Sequence, residues 1–467
     1  MPRFRGLNLA RPFLRFLPGL TPVGSRQSLG LPEKLVFTAS AALLFLSAAQ
    51  LPLYTGSVAA PSSDPLYGLR PVLASTRGTL MELGVTPILF SGTLLQLLAG
   101  SNLIDVNFSK IDDRALFSAA QKALALVLAI VQATVCILGG LYGHPLELGL
   151  LNGGLIVGQL LGATYFLILL DEMLQKGHGM GAGVSLFPGA LLCQTIAWQL
   201  LSFSTLPTPH GPEREGALIA PLGLLAGWPN KALALREAYW RETLPNLVSL
   251  GASVLVFGAV IFLQAMRLDL SVKSARFGNQ RGTYPIKVLY TSSTSLVFVS
   301  TVSAYALLVS HAIAYHLPAD NILLVPTSGL AYYFFAPPRS VLSLILSPIH
   351  TITYAGSKVL ACTLFAQAWI EASGSGPRDV AKQLETQQIA KAGHRSMYQE
   401  LKRVIPVAAA IGAASLALLS VAGDALGVFS GAGGTGLVVA VTTVYSYYEI
   451  GVRESGGPEM AAFADLL

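Results

Sequence analysis

Apolar residues gather in ten blocks along this chain, and short polar or charged segments separate the blocks. Most blocks are close to the roughly 20 residues that a helix needs to cross a bilayer. The second block is shorter and contains Gly84, Pro87 and Gly92. All ten are too long and too uniformly apolar for the alternating strands of a membrane barrel. The pattern predicts an all-α polytopic membrane protein with ten transmembrane helices, at residues 35–53, 83–98, 123–142, 148–170, 184–203, 244–266, 288–312, 352–370, 405–422 and 427–448.

Composition agrees with this pattern. Of the 467 residues, 53% are hydrophobic and 12% are charged, and the mean hydropathy is +0.60. Soluble domains carry about 25% charged residues, which argues against a large soluble enzyme. The net charge of +6 comes from residues that lie between the apolar blocks, which indicates loops at a membrane surface rather than a face for nucleic acid.

The distribution of Lys and Arg predicts the orientation of the chain. With a cytosolic N-terminus and ten spans, most of the 30 basic residues fall on the cytosolic side, as the positive-inside rule requires. Both termini are then cytosolic. The first long apolar block lacks a clear cleavage site, so we expect a retained span rather than a cleaved signal peptide.

The same pattern divides the chain into segments. We expect a cytosolic N-terminal segment (1–34), an N-terminal half with spans 1 to 5 (35–205), a lumenal loop (206–242), a C-terminal half with spans 6 to 10 (243–450) and a cytosolic tail (451–467). Five spans on each side of the loop are compatible with two inverted halves. The apolar stretches 217–228 and 322–346 are expected to be loops folded against the lumenal face and partly re-entrant, the first being followed by a charged segment, 231–242.

Motifs for catalysis or metal binding do not stand out. Gly431, Gly433 and Gly436 match GxGxxG, but no strand precedes them, so a turn is the better interpretation. The seven histidines show no metal-ligand spacing, and the three cysteines show no disulfide or metal frame. We therefore expect no catalytic residues, no metal and no cofactor. The sequon at Asn107 falls in a predicted cytosolic loop, where it would stay unmodified.

Ionisable residues are scarce inside the spans. Lys358 lies near one predicted lumenal end, and Asp171 with Glu172 lies at a cytosolic end. A secondary transporter of a small molecule, which would also combine inverted halves with a broken helix, usually places ionisable groups within its spans. That alternative therefore has little support from these spans, although it stays open.

Four segments carry a resemblance to a known family: 78–100, 171–187, 273–287 and 371–395. They closely resemble the SecY family, and above all its members from the endoplasmic reticulum, with similarity from about 34 to 454. The resemblance implies ten helices in two halves around an hourglass pore. The function it implies is to pass secretory polypeptides across the endoplasmic-reticulum membrane and to release apolar segments sideways into lipid.

The resemblance also implies three parts of such a pore. An aliphatic ring, which excludes ions by dewetting, falls on Val85, Leu89, Val184, Pro188, Val297 and Val439. A plug occupies about 62–76 and includes Asp64, Pro65, Leu66, Tyr67, Gly68, Leu69 and Arg70; since it is half polar, it is expected to enter water at little cost. A lateral gate includes Phe90, Gln132 and Tyr305.

Several of these positions depart from the family pattern. Pro188 replaces an aliphatic ring residue, while Phe90 and Tyr305 stand where relatives carry smaller polar groups. The gate is therefore expected to open at a different threshold of signal hydrophobicity. The segment 316–332 is shorter than in relatives, and Arg339 replaces an acid.

The resemblance finally implies partners. Two basic cytosolic loops would contact ribosomal RNA through Lys273, Arg276, Arg281 and Arg395, although Gly278 stands where the family usually has a basic residue. Other expected partners are nascent polypeptides with signal sequences, the lipid bilayer, and small single-span beta and gamma subunits. A diverged paralogue that binds ribosomes without conducting is a second alternative, because the ring, the gate and a docking loop each carry a substitution.

Overall fold

Helices dominate the computed structural model. It describes residues 29–54, 64, 66–101, 103–104, 106, 108, 110–208, 211–227, 230–241, 244–274, 280–289, 292–316, 329–338, 346–386, 389–391, 397–428 and 433–455. The helices there are α1 (Leu31–Ala48), α2 (Thr86–Gly100), α3 (Ile111–Leu138), α4 (Pro145–Leu148), α5 (Leu150–Met173), α6 (Gly183–Leu201), α7 (Ala220–Gly227), α8 (Lys231–Trp240), α9 (Leu247–Ala265), α10 (Ser292–His316), α11 (Leu330–Phe335), α12 (Pro348–Ala372), α13 (Pro377–Thr386), α14 (Met397–Ala425) and α15 (Gly433–Ser455).

Ten of these helices overlap the ten predicted spans: α1, α2, α3, α5, α6, α9, α10, α12, α14 and α15. Seven of the ten are long and apolar enough by composition alone to cross a membrane, namely α1, α3, α5, α6, α9, α10 and α14. The helix α2 is shorter, as its glycines and proline predict. The number and order of the predicted spans therefore match the helices in the structure.

Helix ends differ from the predicted block ends. The helix α3 begins at Ile111, well before the apolar block at 123, and it carries Asp112 and Asp113 in its first turn. The helix α14 likewise begins at Met397 rather than near 405. An apolar block marks only the part of a helix that meets lipid, because a helix can continue into water on polar residues.

The stretch 217–228 and the charged segment after it are not loops as predicted. They contain two helices, α7 and α8, and a hydrophobic cluster joins them: Leu224 of α7 packs with Ala234 and Ala238 of α8, and Leu247 of α9 packs against that cluster. The second predicted loop also contains a short helix, α11, which ends before Pro337 and Pro338. Short apolar runs do not distinguish a loop from a packed helix by periodicity alone.

The structure also contains short strands. A hairpin of β1 (Thr205–Thr208) and β2 (Gly211–Arg214) follows α6. A second antiparallel hairpin of β3 (Arg267–Ser274) and β4 (Gln280–Lys287) follows α9. The strand β5 (Ile389–Lys391) pairs with the C-terminal end of β3. Leu270 and Ile286 pack with Ile370, Leu384 and Leu401, so the hairpin is fixed to the ends of α12, α13 and α14.

Candidate functional site

Three large hydrophobic clusters meet at a short segment between α1 and α2. The consecutive residues Val72, Leu73 and Ala74 are all buried, yet each belongs to a different cluster. The cluster around Val72 lies mainly among α6, α9, α10, α12, α14 and α15, the one around Leu73 among α3, α5 and α10, and the one around Ala74 among α1, α5 and α6. Segment 66–74, which belongs to the predicted plug, therefore fills the space between the packed parts of the bundle.

This segment is tied closely to the start of α2. The Val85 amide donates a hydrogen bond to the Leu73 carbonyl at 2.9 Å. Gly84 has φ +58°, and a Cβ atom at this position would overlap the Leu73 carbonyl oxygen. Ala74 also has a left-handed backbone, with φ +54°. Such conformations are costly for residues other than glycine, so the turn at Ala74 depends on the packing around it.

A buried charge network holds the polar half of the plug. Arg70 donates to both carboxylate oxygens of Asp64, to Glu82 at 3.2 Å and to Ser75 at 2.9 Å. Glu82 also accepts a hydrogen bond from the Tyr142 hydroxyl at 2.6 Å. Burial acts to lower the pKa of Arg70, but the carboxylates of Glu82 and Asp64 raise it above its usual value. Arg70 therefore carries its charge at every physiological pH.

The predicted low cost of moving the plug into water does not agree with this structure. Asp64, Arg70 and Glu82 are only 5–6% exposed, so they are not already solvated. Withdrawing the segment would break paired charges in a buried site, and leaving one partner of such a pair behind is strongly unfavourable. Among the described plug residues, Tyr67 is the exposed one and Gly68 is half-buried. Pro65 lies outside the described residues.

The predicted ring residues lie on the two sides of this segment. Val85 and Val184 share the cluster that contains Ala74, and Val297 and Val439 share the cluster that contains Val72. Leu89 follows Val85 by one helical turn, and its amide donates to the Val85 carbonyl at 3.0 Å. The structure thus places four of the six predicted ring residues in the clusters that border the plug.

Pro188 occupies the interior of α6 and is buried. The next residue, Gly189, lies close to α15, since a Cβ atom at Gly189 would come within 2.8 Å of the Thr443 methyl carbon. The helices α6 and α15 therefore approach closely beside Pro188. The proline side chain is apolar. Pro188 therefore keeps the apolar character that the predicted pore ring needs to exclude water.

The three predicted gate residues come together in the structure. Tyr305 of α10 donates a hydrogen bond to the Gln132 Oε1 atom of α3 at 3.2 Å. Phe90 of α2 contacts the Tyr305 ring, with 5.1 Å between the ring centroids. Phe90 and Tyr305, the two gate residues that depart from the family pattern, are therefore direct neighbours. Together they join α2 and α3 to α10.

Two further aromatic residues extend this contact, and the sequence analysis missed both. Phe298 of α10 stacks on Phe90 with 6.0 Å between centroids, and Phe365 of α12 stacks on Phe298 at 4.2 Å. We call Tyr305, Phe90, Phe298 and Phe365 the aromatic ladder. Phe298 precedes Tyr305 by seven residues, which places both on one helix face. This seven-residue spacing is the sequence feature that could have predicted Phe298.

A second buried charge cluster lies at the start of α15. Lys358 of α12 donates to the Tyr354 hydroxyl at 2.9 Å and to the Thr435 hydroxyl at 2.7 Å, and its Nζ atom is 3.5 Å from an Asp424 oxygen. Asp424 also accepts the Gly434 amide at 2.7 Å. Lys358 is therefore not an isolated charge at a span end, because it joins α12, α14 and α15. Thr435 precedes the ring residue Val439 by one helical turn.

The basic loops are only partly described. Lys273 and Arg281 face each other as register partners across β3 and β4. Arg276, Gly278 and Arg395 lie outside the described residues, as do Asn107 and Arg339. At the base of the hairpin, Lys287 pairs with Glu449 of α15 at 2.6 Å. This ion pair connects the hairpin to the helix that carries Val439.

The plug also borders a cavity of about 370 Å³. Its walls include Tyr67, Arg70 and Thr76 from the plug side and Leu191 with Thr195 from α6. Within the described part of the chain, no group of three or more His, Cys, Asp or Glu side chains is arranged to hold a metal ion. The site therefore combines apolar clusters with a segment that carries a buried charge network.

Comparison with known proteins identifies the family. The SecY family model matches residues 79–448. The chain belongs to the SecY family. A "Protein transport protein SEC61 subunit alpha" from Neurospora crassa is 45% identical over 471 residues, which cover 97% of this chain and 98% of that protein.

Two solved structures of SecY-fold proteins resemble this one. "The structure of a protein conducting channel" matches with a TM-score of 0.78 and 28% identity, covering 96% of this chain and 97% of that chain. "Sec61 in the Canine ribosome-channel complex from the endoplasmic reticulum" matches with a TM-score of 0.75, again with 28% identity and the same coverage. The predicted ten-helix SecY fold is therefore confirmed.

Proposed function

We propose that this chain is the pore-forming subunit of a protein-conducting channel in the endoplasmic-reticulum membrane. Its role is to pass secretory polypeptides across that membrane and to release membrane segments sideways into lipid. The position of segment 66–74 carries the proposal, because Val72, Leu73 and Ala74 each enter a different hydrophobic cluster beside the predicted ring. Near-full-length similarity to SEC61 alpha subunits supports it.

In this proposal, the ring and the plug seal the idle channel together. Aliphatic side chains such as Val85 and Val439 make an empty constriction unfavourable for water and ions, yet they offer a passing chain no polar groups to bind. The plug closes the ring from one side through packing and through the Arg70 network. Transport then needs no catalytic residue, and the energy comes from translation or from a motor outside this chain.

The aromatic ladder is proposed to set the threshold of the lateral gate. Two aromatic contacts of Phe90 contribute about 0.5–1.5 kcal/mol each beyond burial, and the Tyr305 to Gln132 hydrogen bond contributes about 1 kcal/mol. A central Leu or Ile of a signal gains about 0.3–0.6 kcal/mol on entering the membrane. Several additional apolar residues in a signal are therefore needed to offset closure of this gate.

The basic loops are proposed to dock on the ribosome. Lys273 and Arg281 are adjacent across the hairpin, and with Arg276 and Arg395 they would meet RNA phosphates in salt-sensitive contacts. The solved complex of Sec61 with a canine ribosome supports this assignment. Binding of ribosomes should weaken steeply as salt rises, and replacing Lys273 and Arg281 with Ala should reduce the salt dependence. Binding that is insensitive to salt would contradict the assignment.

The remaining partners follow from the proposed role. Small single-span beta and gamma subunits would assemble around this chain, and nascent polypeptides with signal sequences would be its substrates. With the ribosome on the side of the hairpin, both termini would be cytosolic. Asn107, which lies between α2 and α3 in the sequence, would then carry no glycan; a glycan there would contradict this orientation.

Reconstitution tests the proposed function. The chain is purified with its partner subunits, incorporated into liposomes and supplied with a secretory precursor held on a stalled ribosome. We expect the released precursor to become resistant to added protease, while a matched precursor with a polar signal core stays sensitive. Bound ribosomes without protection of either precursor would favour a non-conducting paralogue. Uptake of a small solute without ribosome binding would favour a transporter.

A further inference from the structure

The helices α7 and α8 expose several large apolar side chains, and α8 exposes Arg236 among them. Leu222 of α7 is 69% exposed and Trp240 of α8 is 70% exposed. Leu218, Leu233 and Tyr239 are also exposed. The opposite faces of the two helices pack on each other through Leu224, Ala234 and Ala238. Exposed apolar residues in such a group indicate a contact with an apolar partner.

The first end of this helix pair lies at the end of α6. The Ala217 amide donates to the Gln199 carbonyl at 2.8 Å, and the Leu218 amide donates to the Leu200 carbonyl at 3.2 Å. The segment that leads into α7 therefore runs beside the last turn of a membrane-spanning helix. Trp198, which donates to Glu215 at 3.0 Å, lies in that same turn, and tryptophan is enriched where a span meets the headgroups.

The second end lies at the start of α9. Leu247, the first residue of α9, packs against the cluster that joins α7 and α8. Arg241 follows α8 directly, and its guanidinium donates to the Pro245 carbonyl. The Asn246 side chain, which caps α9, donates in turn to the Arg241 carbonyl at 3.1 Å. Both ends of the helix pair are therefore fixed at the level where spanning helices leave the membrane.

We infer that α7 and α8 form an interfacial anchor. Its exposed face inserts into the lipid leaflet on the side of the membrane where α6 ends and α9 begins. The adjacent ends of its two neighbours also carry exposed apolar residues, Leu201 on α6 and Val248 on α9. Trp240 and Tyr239 are the residues that favour the headgroup level. Arg236, exposed on α8, can reach lipid phosphates, as basic residues of interfacial helices do.

Site-specific photocrosslinking to lipid tests this inference. A photoreactive amino acid replaces Leu222 or Leu233 in the full chain, which is reconstituted with its partner subunits in vesicles of phosphatidylcholine with a minority of phosphatidylinositol. Two positions provide references. Val254, 62% exposed on α9, reports a lipid-facing residue of a spanning helix, and Gln383, exposed on α13, reports a residue outside the spanning helices.

We expect lipid adducts at Leu222 and Leu233 within about threefold of the yield at Val254 and about tenfold above the yield at Gln383. Yields at Leu222 and Leu233 that equal the yield at Gln383 would overturn the inference. Adducts to a protein in native membranes, with no lipid adducts there, would also overturn it and indicate a protein partner instead.

A second variant separates lipid contact from loss of the fold. With the photoreactive group at Leu222, the substitutions Leu233→Asp and Trp240→Ala should reduce the lipid adducts about tenfold, because a charged residue opposes insertion at this depth. The yield at Val254 should stay unchanged in the same variant. An unchanged yield at Leu222 would show that the exposed face does not enter the leaflet.

Discussion

The Val85 amide donates a hydrogen bond to the Leu73 carbonyl at 2.9 Å, and this bond joins the predicted pore ring directly to the plug. Leu73 packs with residues of α3, α5 and α10, whereas Val85 packs with residues of α1, α5 and α6. The bond depends on Gly84, whose φ of +58° lets the chain pass close to Leu73. The position of the predicted plug in this structure is therefore coupled to the start of α2.

The Gly84→Ala substitution should weaken this coupling. A left-handed conformation costs an L residue about 1–2 kcal/mol, and the added methyl group would also overlap the Leu73 carbonyl. We expect lower thermal stability and more ion leakage through the idle channel. Gly92→Ala is the matched control, because nothing lies within 4 Å of a Cβ atom there; in a helix interior that change should be neutral or stabilising by up to about 1 kcal/mol. Equal effects of the two changes would contradict the account.

The Arg70→Met substitution should loosen the plug by removing the cation of its network. Asp64 and Glu82 would remain buried beside each other without their partner, and breaking such a pair costs about 3–5 kcal/mol. We expect faster proteolysis within the plug and a higher ion conductance of the idle channel. Arg70→Lys, which keeps the charge but not the forked geometry, should show a smaller increase. Wild-type conductance for Arg70→Met would show that the network does not hold the plug.

The Phe90→Ala substitution should lower the threshold of the gate. It removes the contacts to both Tyr305 and Phe298, so closure loses about 1–3 kcal/mol. A series of signals with increasing numbers of leucines should then be translocated from a lower leucine number. Tyr305→Phe, which removes only the hydrogen bond to Gln132, should give a smaller shift of about 1 kcal/mol. An unchanged series for Phe90→Ala would contradict the proposed role of the aromatic ladder.

The Lys358 and Asp424 pair should show strong coupling. Removing either charge alone, by Lys358→Met or Asp424→Leu, leaves the other buried without its counter-ion and costs about 3–5 kcal/mol. The double variant should be more stable than either single variant, because an apolar pair of similar volume is often tolerated. Thermal unfolding of the four proteins in detergent measures this. Additive losses in the double variant would show that the two charges act independently.

The sequence predicted the parts of the fold that depend on apolar length. Every predicted span contains a helix, because an apolar block of bilayer length has few other ways to form the hydrogen bonds of its backbone in lipid. Helix ends such as Ile111 were not predictable, since the polar first turn of α3 lies outside the apolar block. The helices α7 and α8 were missed because their apolar runs are too short to show a period.

The candidate site was only partly predictable. The family resemblance named Gln132, Phe90 and Tyr305, and the structure brings all three into contact. The buried pairs could not be predicted, because Lys358 and Asp424 are 66 positions apart and no local pattern joins them. The cost of moving the plug was underestimated because Arg70 is paired with Asp64 and Glu82 in a buried site rather than solvated.

A nascent chain on its way across the membrane should pass through the predicted ring and therefore close to Val297. A photocrosslinker at Val297 in microsomes, with a secretory precursor stalled on the ribosome, tests this passage. We expect a crosslink to this precursor and none to a matched precursor whose signal core is polar. Ribosomes that bind without a crosslink to either precursor would contradict it.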